Sequence, residues 1–257
     1  MTGFSLEGKV VLVTGSSRGI GRAIGLRLAR AGAKVVVSSR KLEHVQAVAD
    51  EIEAAGGESL AIQAHVGRTD EVRTLVERTV ENWGQIDVAI NNAATNVHIG
   101  PLLDASEGQW DKILDTNVKS VFRVCQAVAP HMEAQGGGKI INIASVAGLR
   151  PSPTMGIYSV SKAAVIALTK ALAAELGRAN IQVNAIAPGI VKTRFSQMMW
   201  QVEQIAEPIL AHLPLDRFGE PEDVAAMALY LAAPVSDYIT GAVFVVDGGM
   251  NVASAVG

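Results

Sequence analysis

Short apolar runs rich in β-branched residues alternate with longer Ala- and Leu-rich stretches along the chain. Most of the short runs read as apolar and do not alternate with polar residues, which predicts strands buried on both faces. The alternation of strand and helix predicts a doubly wound α/β fold with a parallel sheet. The predicted strands are Lys9–Thr14, Lys34–Ser38, Ser59–Gln63, Val88–Asn91, Lys139–Ile143, Ile181–Ile186 and Val243–Val246.

No linker, low-complexity tract or fixed-period repeat divides the 257 residues. This predicts a single Rossmann-like domain over residues 1–257, with helices on both faces of the sheet. Gly136–Gly138 is predicted to end a helix before a strand. The stretch 192–217 breaks the rhythm just beyond a strand end, which predicts a lid over a pocket. An ordinary packed helical insertion is the equal alternative.

Composition narrows the possible partners and compartment. The chain is 49% hydrophobic and 18% charged with a formal net charge of -3, so no basic field recruits nucleic acid or an anionic membrane. The single cysteine, Cys125, forms no intrachain disulfide and fits a reducing compartment. The N-terminus has no apolar signal core, and no apolar run reaches the roughly 18 residues of a membrane span. We therefore expect a soluble, cytoplasmic protein.

A glycine-rich turn, Thr14–Gly21, directly follows the first predicted strand and precedes a helical stretch. Its glycines permit a tight turn and close approach of the backbone to a pyrophosphate, which a helix N-terminus attracts. The spacing is G-x-x-x-G-x-G, which differs from the commoner G-x-G-x-x-G. The turn predicts a dinucleotide site, with cofactor contacts at Gly15, Ser17, Arg18, Gly19 and Ile20.

The end of the second strand bears on the choice of cofactor. Where an acidic residue would bind an unphosphorylated ribose, this chain has Ser38, Ser39, Arg40 and Lys41. Hydroxyls and a guanidinium can bind a 2′-phosphate that a carboxylate would repel, and Arg18 can approach the phosphate from the other side. We therefore predict NADP(H) over NAD(H), bound by Ser39, Arg40 and Lys41. The alternative is that these charges are solvated at the start of a helix.

Tyr158-Ser-Val-Ser-Lys162 places a phenol and an ammonium on one face of a helix. Free tyrosine has a pKa near 10, and the positive charges of Lys162 and an oxidised nicotinamide would bring the phenol toward neutral pH. Tyr158 would then act as general acid in reduction and general base in oxidation. Ser145 would hydrogen-bond the substrate oxygen as charge develops there. A turn or cap hydroxyl is the commoner role for a serine.

With these motifs in this order, the chain resembles the short-chain dehydrogenase/reductase family over nearly its whole length. The ordered set is the turn Thr14–Gly21, Asn91–Ala94 after the fourth strand, Asn117 in a helix, Ser145 after the fifth strand, Tyr158-x-x-x-Lys162, and Pro188–Thr193. The resemblance implies that the catalytic residues are Asn117, Ser145, Tyr158 and Lys162. It also implies that Lys162 binds the nicotinamide ribose and that Asn117 holds a water in a proton relay.

The resemblance implies further cofactor contacts at the ends of other strands. Asn92 and Ala93 would face the cofactor, while Thr193 and the Val191 backbone would reach the nicotinamide carboxamide. At the end of the third strand the family commonly has an acidic residue near the adenine, whereas this chain has His65 followed by Val66. His65 can still donate or accept a hydrogen bond to adenine, and Val66 can cover the ring.

Within the family, Ser38–Lys41, His65–Gly67 and Ile190–Trp200 are most similar to the NADP-dependent carbonyl and retinal reductases of the dehydrogenase/reductase member four type. The resemblance implies interconversion of a small-molecule ketone or aldehyde and its alcohol. Those relatives are peroxisomal in animals. The end of this chain, Ser254–Gly257, has no serine-lysine-leucine-type signal, so that location is not carried over. The resemblance also implies a homotetramer packed through helices 110–132 and 159–176.

Two other functions stay open at this point. A 3-oxoacyl-[acyl-carrier-protein] reductase would share the same motifs but must dock an acidic carrier protein. His131–Gly138 lacks a basic cluster, which leaves Arg123, Arg150 and Arg178 as docking candidates. An inactive NADP-binding scaffold would be expected to lose the tyrosine or the lysine, and both are present. No metal is expected, because metal-ligand spacing is missing at the remaining histidines His44, His98, His131 and His212.

Overall fold

The seven predicted strands form one parallel sheet in the computed structural model, which describes residues 2–252. The prediction based on Ser254–Gly257 therefore lies outside the described residues. The sheet order is β3-β2-β1-β4-β5-β6-β7, and all six pairings are parallel. The strands are β1 (Val10–Thr14), β2 (Lys34–Ser39), β3 (Glu58–Gln63), β4 (Val88–Asn91), β5 (Gly138–Ile143), β6 (Ile181–Pro188) and β7 (Val243–Val246).

Helices cover both faces of the sheet. They are α1 (Gly19–Arg30), α2 (Leu42–Ala54), α3 (Thr69–Trp83), α4 (Glu107–Leu114), α5 (Ser120–Ala134), α6 (Gly156–Leu176), α7 (Gln197–Gln201), α8 (Glu203–Leu210) and α9 (Pro221–Ala232). One apolar core contains buried residues of α1, α2 and α9, and the other contains those of α3, α5 and α6. Successive residues of β1 enter opposite cores, Val11 and Val13 on one face and Leu12 on the other. The predicted doubly wound fold is confirmed.

Burial on both faces holds at the centre of the sheet but not at its edges. Every residue of β1 and β4 is buried, whereas β3 and β7 are mostly half-buried or exposed. Each edge strand has only one neighbour, so the helices cover it incompletely. Apolar composition alone did not distinguish the edge strands from the central ones.

The strand order reverses between β1 and β4, because β2 and β3 lie on one side of β1 and the later strands on the other. All strands point the same way, so the loops after β1, β2, β4, β5 and β6 meet at one edge of the sheet. In open α/β sheets the crevice at such a reversal is where ligands bind. This edge carries the predicted site residues.

The predicted helix 110–132 is interrupted by a π-helical turn. Helix α4 ends at Leu114, the turn Asp115–Lys119 follows, and α5 begins at Ser120. After α5, Gly136 adopts a positive φ of 88° and β5 begins at Gly138, as the glycine run predicted. A π turn inserts one residue into a helix and often lies at a functional site.

The expectation that no segment is long and apolar enough to cross a membrane was too strong. Gly156–Ala179 has a mean hydropathy of 1.4 over its most apolar window and meets that length and composition. Half of the window is buried inside the protein, and α6 packs against the sheet as part of a core. Its apolar character is that of a central core helix. Nearby, Cys125 of α5 is also buried, and burial raises the pKa of its thiol to about 12, which fits a packing role.

The segment 192–217 that breaks the strand-helix rhythm contains α7 and α8 and has a small apolar cluster of its own. Ala206, Leu213 and Phe218 form its buried centre, and Trp200 packs against them. This cluster is separate from the two cores beside the sheet. Segment 192–217 is therefore attached to the sheet edge without being part of either main core.

Candidate active site

The turn after β1 has the backbone shape of an anion-binding loop. Gly15 and Gly19 adopt positive φ values of 66° and 55°. A Cβ on Gly15 would lie 2.8 Å from the Ala93 backbone, and one on Gly21 would lie 2.4 Å from the Asn92 amide nitrogen. Arg18, the N-cap residue of α1, makes no side-chain cap, so it leaves the first N–H groups of the helix available. These residues fit the pyrophosphate of a dinucleotide.

Asn92 lies at the end of β4 and braces this turn. Its Nδ2 donates to the Thr14 and Gly15 carbonyl oxygens, each at 3.0 Å. The Thr14 hydroxyl accepts in return from the Asn92 and Ala93 backbone amides, at 3.1 and 3.3 Å. The predicted cofactor contact at Asn92 is thus accompanied by a positioning role, because both of its N–H donors are used on the turn backbone.

Replacing Asn92 by Asp is expected to lower the free energy of unfolding by about 2 kcal/mol, because a carboxylate would face two carbonyl oxygens without a donor. Chemical denaturation measures the change. Asn96→Asp is the matched control, since Asn96 uses its Oδ1 to accept from the His98 amide and a carboxylate preserves that role. Equal stability of Asn92→Asp and the wild type would contradict the bracing role.

The end of β2 presents cations and hydroxyls. Arg18 and Arg40 are exposed, and neither forms an ion pair within residues 2–252, whereas Lys41 lies 3.6 Å from Glu43. The Ser38 hydroxyl is buried and has no hydrogen-bond partner in the described chain. The Ser39 hydroxyl donates to the Lys41 carbonyl at 3.2 Å. The exposed guanidinium groups of Arg18, in the turn after β1, and of Arg40, after β2, are therefore not engaged by another charged group of the described chain.

His65 follows β3, and a hydrogen bond shows which of its two ring nitrogens is the acceptor. The Gly67 N–H donates to Nδ1 at 3.0 Å, so Nδ1 carries no proton and Nε2 of the neutral ring carries it. The His65 backbone N–H donates to the Glu71 carboxylate at 2.7 Å. Val66 is buried beside it. Of the two hydrogen-bonding roles predicted for His65, a neutral ring keeps only the donor for a ligand.

Tyr158 and Lys162 lie on the first turns of α6, next to the end of β5. Tyr158 is 9% exposed and Lys162 only 3%. Lys162 Nζ donates to the Ile143 carbonyl oxygen at 2.7 Å and lies 5.6 Å from the centre of the Tyr158 ring. Ser145 follows β5 and accepts from the Ala147 amide at 3.1 Å, so it is also a cap, as its commoner role predicted. The side chains predicted to be catalytic are brought together.

The surroundings that the chain itself provides shift the pKa of Tyr158 upward, whereas the lowering predicted from the sequence also requires the charge of an oxidised nicotinamide. Burial raises this pKa to about 12, although a hydrogen bond with Ser145 acts in the opposite direction. Burial also lowers the pKa of Lys162, from 10.5 to about 8. The prediction considered only charge, whereas desolvation is the largest effect on both groups. The chain alone therefore holds a neutral phenol ready to donate a proton.

Asn117 lies in the π turn and its side chain ties two elements together. Its Oδ1 accepts from the Thr95 amide at 2.8 Å, and its Nδ2 donates to the Thr95 carbonyl at 2.9 Å and to Ser161 Oγ at 3.0 Å. Ser161 Oγ in turn donates to the Tyr158 carbonyl at 2.7 Å. Both side-chain donors of Asn117 are used in this clamp. The water relay at Asn117 stays a prediction.

The segment after β6 approaches the turn after β1. Val191 is buried and bridges to Gly219, and a Cβ on Gly19 would lie 3.1 Å from the Thr193 methyl carbon. The Phe195 ring packs on the Tyr158 ring with centroids 5.5 Å apart. Segment 192–217 therefore contacts both the glycine turn and the predicted acid.

A family model described as enoyl-(acyl carrier protein) reductase matches residues 15–251. Dehydrogenase/reductase SDR family member 4 from Sus scrofa is 44% identical over 244 residues, covering 95% of this chain and 88% of that protein. The Caenorhabditis elegans protein of that name is 39% identical and covers 95% and 96%. The chain belongs to the short-chain dehydrogenase/reductase family. It is an oxidoreductase of a family that binds a nicotinamide cofactor and acts on small molecules.

Solved structures agree with this membership. A short-chain type dehydrogenase/reductase from Mycobacterium marinum has a TM-score of 0.90 at 40% identity, covering 96% of this chain and 97% of that one. A provisional NAD(P)-dependent gluconate 5-dehydrogenase from Beutenbergia cavernae, with NADP bound at low occupancy, has a TM-score of 0.92 at 35% identity, covering 98% and 99%. The fold and the family predicted from the sequence are confirmed.

The site of this short-chain dehydrogenase/reductase also contains residues that sequence reasoning missed. Thr95 and Ser161 hold Asn117, and Trp200 donates from Nε1 to the Thr193 carbonyl at 3.1 Å. Ser161 lies inside the Tyr158–Lys162 motif, so its position was a usable signal. Thr95 carried none, since its partner Asn117 is distant in the sequence. Trp200 was expected as part of the segment 192–217, but its hydrogen bond to Thr193 was not. Within residues 2–252, no group of three His, Cys, Asp or Glu side chains could hold a metal ion.

Proposed function

We propose that this short-chain dehydrogenase/reductase is an NADP(H)-dependent enzyme that interconverts a ketone or aldehyde and its alcohol. The observation that carries the proposal is the buried Tyr158 phenol, which lies next to Ser145 and one helical turn from the buried Lys162. A nicotinamide, when bound, supplies or accepts the hydride. The test is cofactor oxidation with a panel of diketones, aromatic ketones, aldehydes and retinal. Lack of turnover with every carbonyl would favour the inactive scaffold.

The role of each residue follows from which groups of the site can donate or accept a proton. Tyr158 donates its proton to the carbonyl oxygen in reduction and accepts it back in oxidation. Ser145 hydrogen-bonds the same oxygen, which stabilises charge that develops in the transition state. Lys162, whose pKa burial lowers to about 8, remains largely protonated at pH 7 and supplies positive charge beside the phenol. Asn117 positions α6 through Ser161 and Tyr158.

The preference for NADP(H) rests on Arg18 and Arg40. Both guanidinium groups are exposed, that of Arg18 in the turn after β1 and that of Arg40 just after β2. Ser38 and Ser39 stand where a carboxylate would hold an unphosphorylated ribose. A guanidinium can bind a phosphate with two parallel charge-assisted hydrogen bonds. NADP is also present in the relative from Beutenbergia cavernae. Lys41 and its partner Glu43 contribute less, because their charges offset each other.

Replacing Arg40 by Glu is expected to reduce kcat/KM for NADPH about 10- to 100-fold, because one charge-assisted contact of roughly 1.5–3 kcal/mol is lost and repulsion is added. The value for NADH should stay the same or rise, since a carboxylate can accept from ribose hydroxyls. Arg27→Glu, the same change in the last turn of α1, serves as the control. An unchanged NADPH-to-NADH ratio in Arg40→Glu would refute the assignment.

An acyl thioester on a carrier protein is the second candidate substrate, favoured by the description of the matching family model. Of the predicted docking residues, Arg123 is mostly buried and pairs with Asp115 at 2.6 Å. Arg178 lies at the far end of α6 from Tyr158, whereas Arg150 is exposed near Ser145. One free arginine supports carrier docking weakly. Turnover of acetoacetyl thioesters faster than that of simple ketones would favour this candidate.

We also propose that segment 192–217 is the lid over the substrate. Its separate apolar cluster and the Phe195–Tyr158 contact support this role. Assembly as a homotetramer is supported by two exposed apolar side chains, Phe122 of α5 and Val160 of α6, on helices whose buried residues contribute to the same core. Sedimentation as a monomer at working concentration would contradict the tetramer.

The lone buried Cys125 supports a reducing, cytoplasmic location, which fractionation of cells can test.

A further inference from the structure

Ser196, just before α7, contacts four polar groups of the loop predicted to hold the nicotinamide. Its Oγ donates to the Val191 carbonyl oxygen, with the Thr193 carbonyl at 3.3 Å as a weaker second acceptor. The Thr193 backbone N–H donates to Ser196 Oγ at 3.3 Å, and Thr193 Oγ1 lies 3.2 Å from it. Trp200 Nε1 donates to the Thr193 carbonyl at 3.1 Å. Ser196 and Trp200 thus tie the region of α7 to the loop residues 191–193.

The number of hydrogens at Ser196 determines the direction of the contact with Thr193. A serine hydroxyl has one hydrogen to donate, and a carbonyl oxygen can only accept. Since the Ser196 hydrogen is used on the Val191 carbonyl, Ser196 Oγ can only accept from Thr193 Oγ1. The Thr193 hydroxyl therefore donates to Ser196 and keeps its lone pairs for other partners.

We propose that Ser196 is a positioning residue that makes the Thr193 hydroxyl an acceptor toward the cofactor. The inference rests on the proposed function and on the contact of Thr193 with the nicotinamide carboxamide that the family resemblance implies. As an acceptor, Thr193 Oγ1 can receive a hydrogen bond from the N–H groups of a carboxamide. It cannot donate one to the carboxamide oxygen. The loop consequently selects a pyridine substituent that carries an amino hydrogen.

The local packing supports a fixed orientation of Thr193. Its methyl carbon faces Gly19, where even a Cβ would come within 3.1 Å. On its other side, the backbone of the loop is tied to Gly219 by the Lys192 amide, which donates to the Gly219 carbonyl at 2.8 Å. Rotation of the hydroxyl away from Ser196 would give up the one acceptor that lies within reach among the described residues.

The test compares NADP⁺ with its 3-acetylpyridine analogue, in which a methyl group replaces the amide nitrogen. Isothermal titration should show the wild type binding the analogue about tenfold more weakly, the equivalent of one lost hydrogen bond. In Ser196→Ala the Thr193 hydrogen is released and can donate to the acetyl oxygen, so the ratio should fall to about twofold or less. Ser196→Thr keeps the hydroxyl and should keep the tenfold ratio.

A purely structural role for Ser196 would weaken both cofactors equally and leave their ratio unchanged, and that result would overturn the inference. If Ser196→Ala does not fold, Ser196→Cys replaces it; its weak thiol should give an intermediate ratio, and a wild-type ratio would refute the proposal. The nicotinamide-free fragment 2′-phospho-ADP-ribose should bind all variants equally. If the wild type binds neither this fragment nor ADP-ribose, the proposed function fails and the present inference with it.

Discussion

Replacing Tyr158 by Phe is expected to reduce kcat about 10²- to 10⁴-fold, the usual contribution of a positioned general acid, with cofactor affinity nearly unchanged. The change removes only the hydroxyl. The ring, which is 9% exposed and packs on Phe195, can stay in place. The Tyr158 hydroxyl keeps its proton in the buried site, because burial raises its pKa to about 12. Steady-state turnover and titration of NADPH measure the two effects separately.

Tyr230 provides the matched control for this change. It lies in α9 and packs between Phe4 and Phe244, with ring centroids 6.3 and 6.4 Å away. Tyr230→Phe also removes one phenolic oxygen and should leave kcat within about twofold, because surface-side substitutions away from the site have small effects. Full activity in Tyr158→Phe would remove Tyr158 from its proposed role. Loss of cofactor binding would instead point to a structural role.

Replacing Lys162 by Met is expected to abolish most activity and yet stabilise the protein. Burial lowers the pKa of Lys162 from 10.5 to about 8. Keeping this ammonium charged in the fold therefore costs about 3 kcal/mol at neutral pH, at roughly 1.4 kcal/mol per pKa unit. Methionine removes that cost. It also leaves the Ile143 carbonyl without its donor, which lowers the free energy of unfolding by about 1 kcal/mol. The net gain in unfolding free energy should be about 1–2 kcal/mol.

The pH dependence of this gain provides a second check. Below pH 8 the lysine is charged in both the folded and the unfolded chain, so the gain from Lys162→Met is constant. Between about pH 8 and 10.5 the folded wild type has released its proton while the unfolded chain still holds it. Wild-type stability therefore rises by about 3 kcal/mol relative to the variant, so the gain should vanish within that range and the variant should be about 1 kcal/mol less stable above it. Denaturation curves at several pH values measure it.

Lys170 serves as the control, because it lies on the same helix but is exposed. Lys170→Met should change stability by no more than about 0.5 kcal/mol and leave turnover intact. A loss of stability in Lys162→Met, with Lys170→Met neutral, would mean that the ammonium of Lys162 contributes more through its hydrogen bond than its burial costs.

Several features of the fold could be predicted without the structure because they depend on local pattern. Wholly apolar strands imply burial on both faces, and β1 and β4 are buried throughout. Parallel strands bring the ends of β1, β2, β4, β5 and β6 to one edge, so residues hundreds of ångströms apart in an extended chain could be assigned to one site. The sequence did not reveal which strands are poorly covered.

The directions of the hydrogen bonds in the site could not be predicted. Asn92 uses both of its N–H donors on the glycine turn, and Asn117 uses its own on Thr95 and Ser161. Those partners come from other elements, so no spacing within one segment points to them. The same holds for Arg123, a carrier-docking candidate by sequence that is already paired with Asp115.

The sequence by itself determined the sheet, the family and the residues at its carboxyl edge, because strand periodicity and motif order are properties of neighbouring residues. Only the tertiary structure decided the protonation tendencies of Tyr158 and Lys162 and the acceptor role of Thr193. Desolvation depends on everything packed around a group, and it acted on Tyr158 against the direction that charge alone predicted. A hydroxyl likewise acquires its direction only when all its partners are in place.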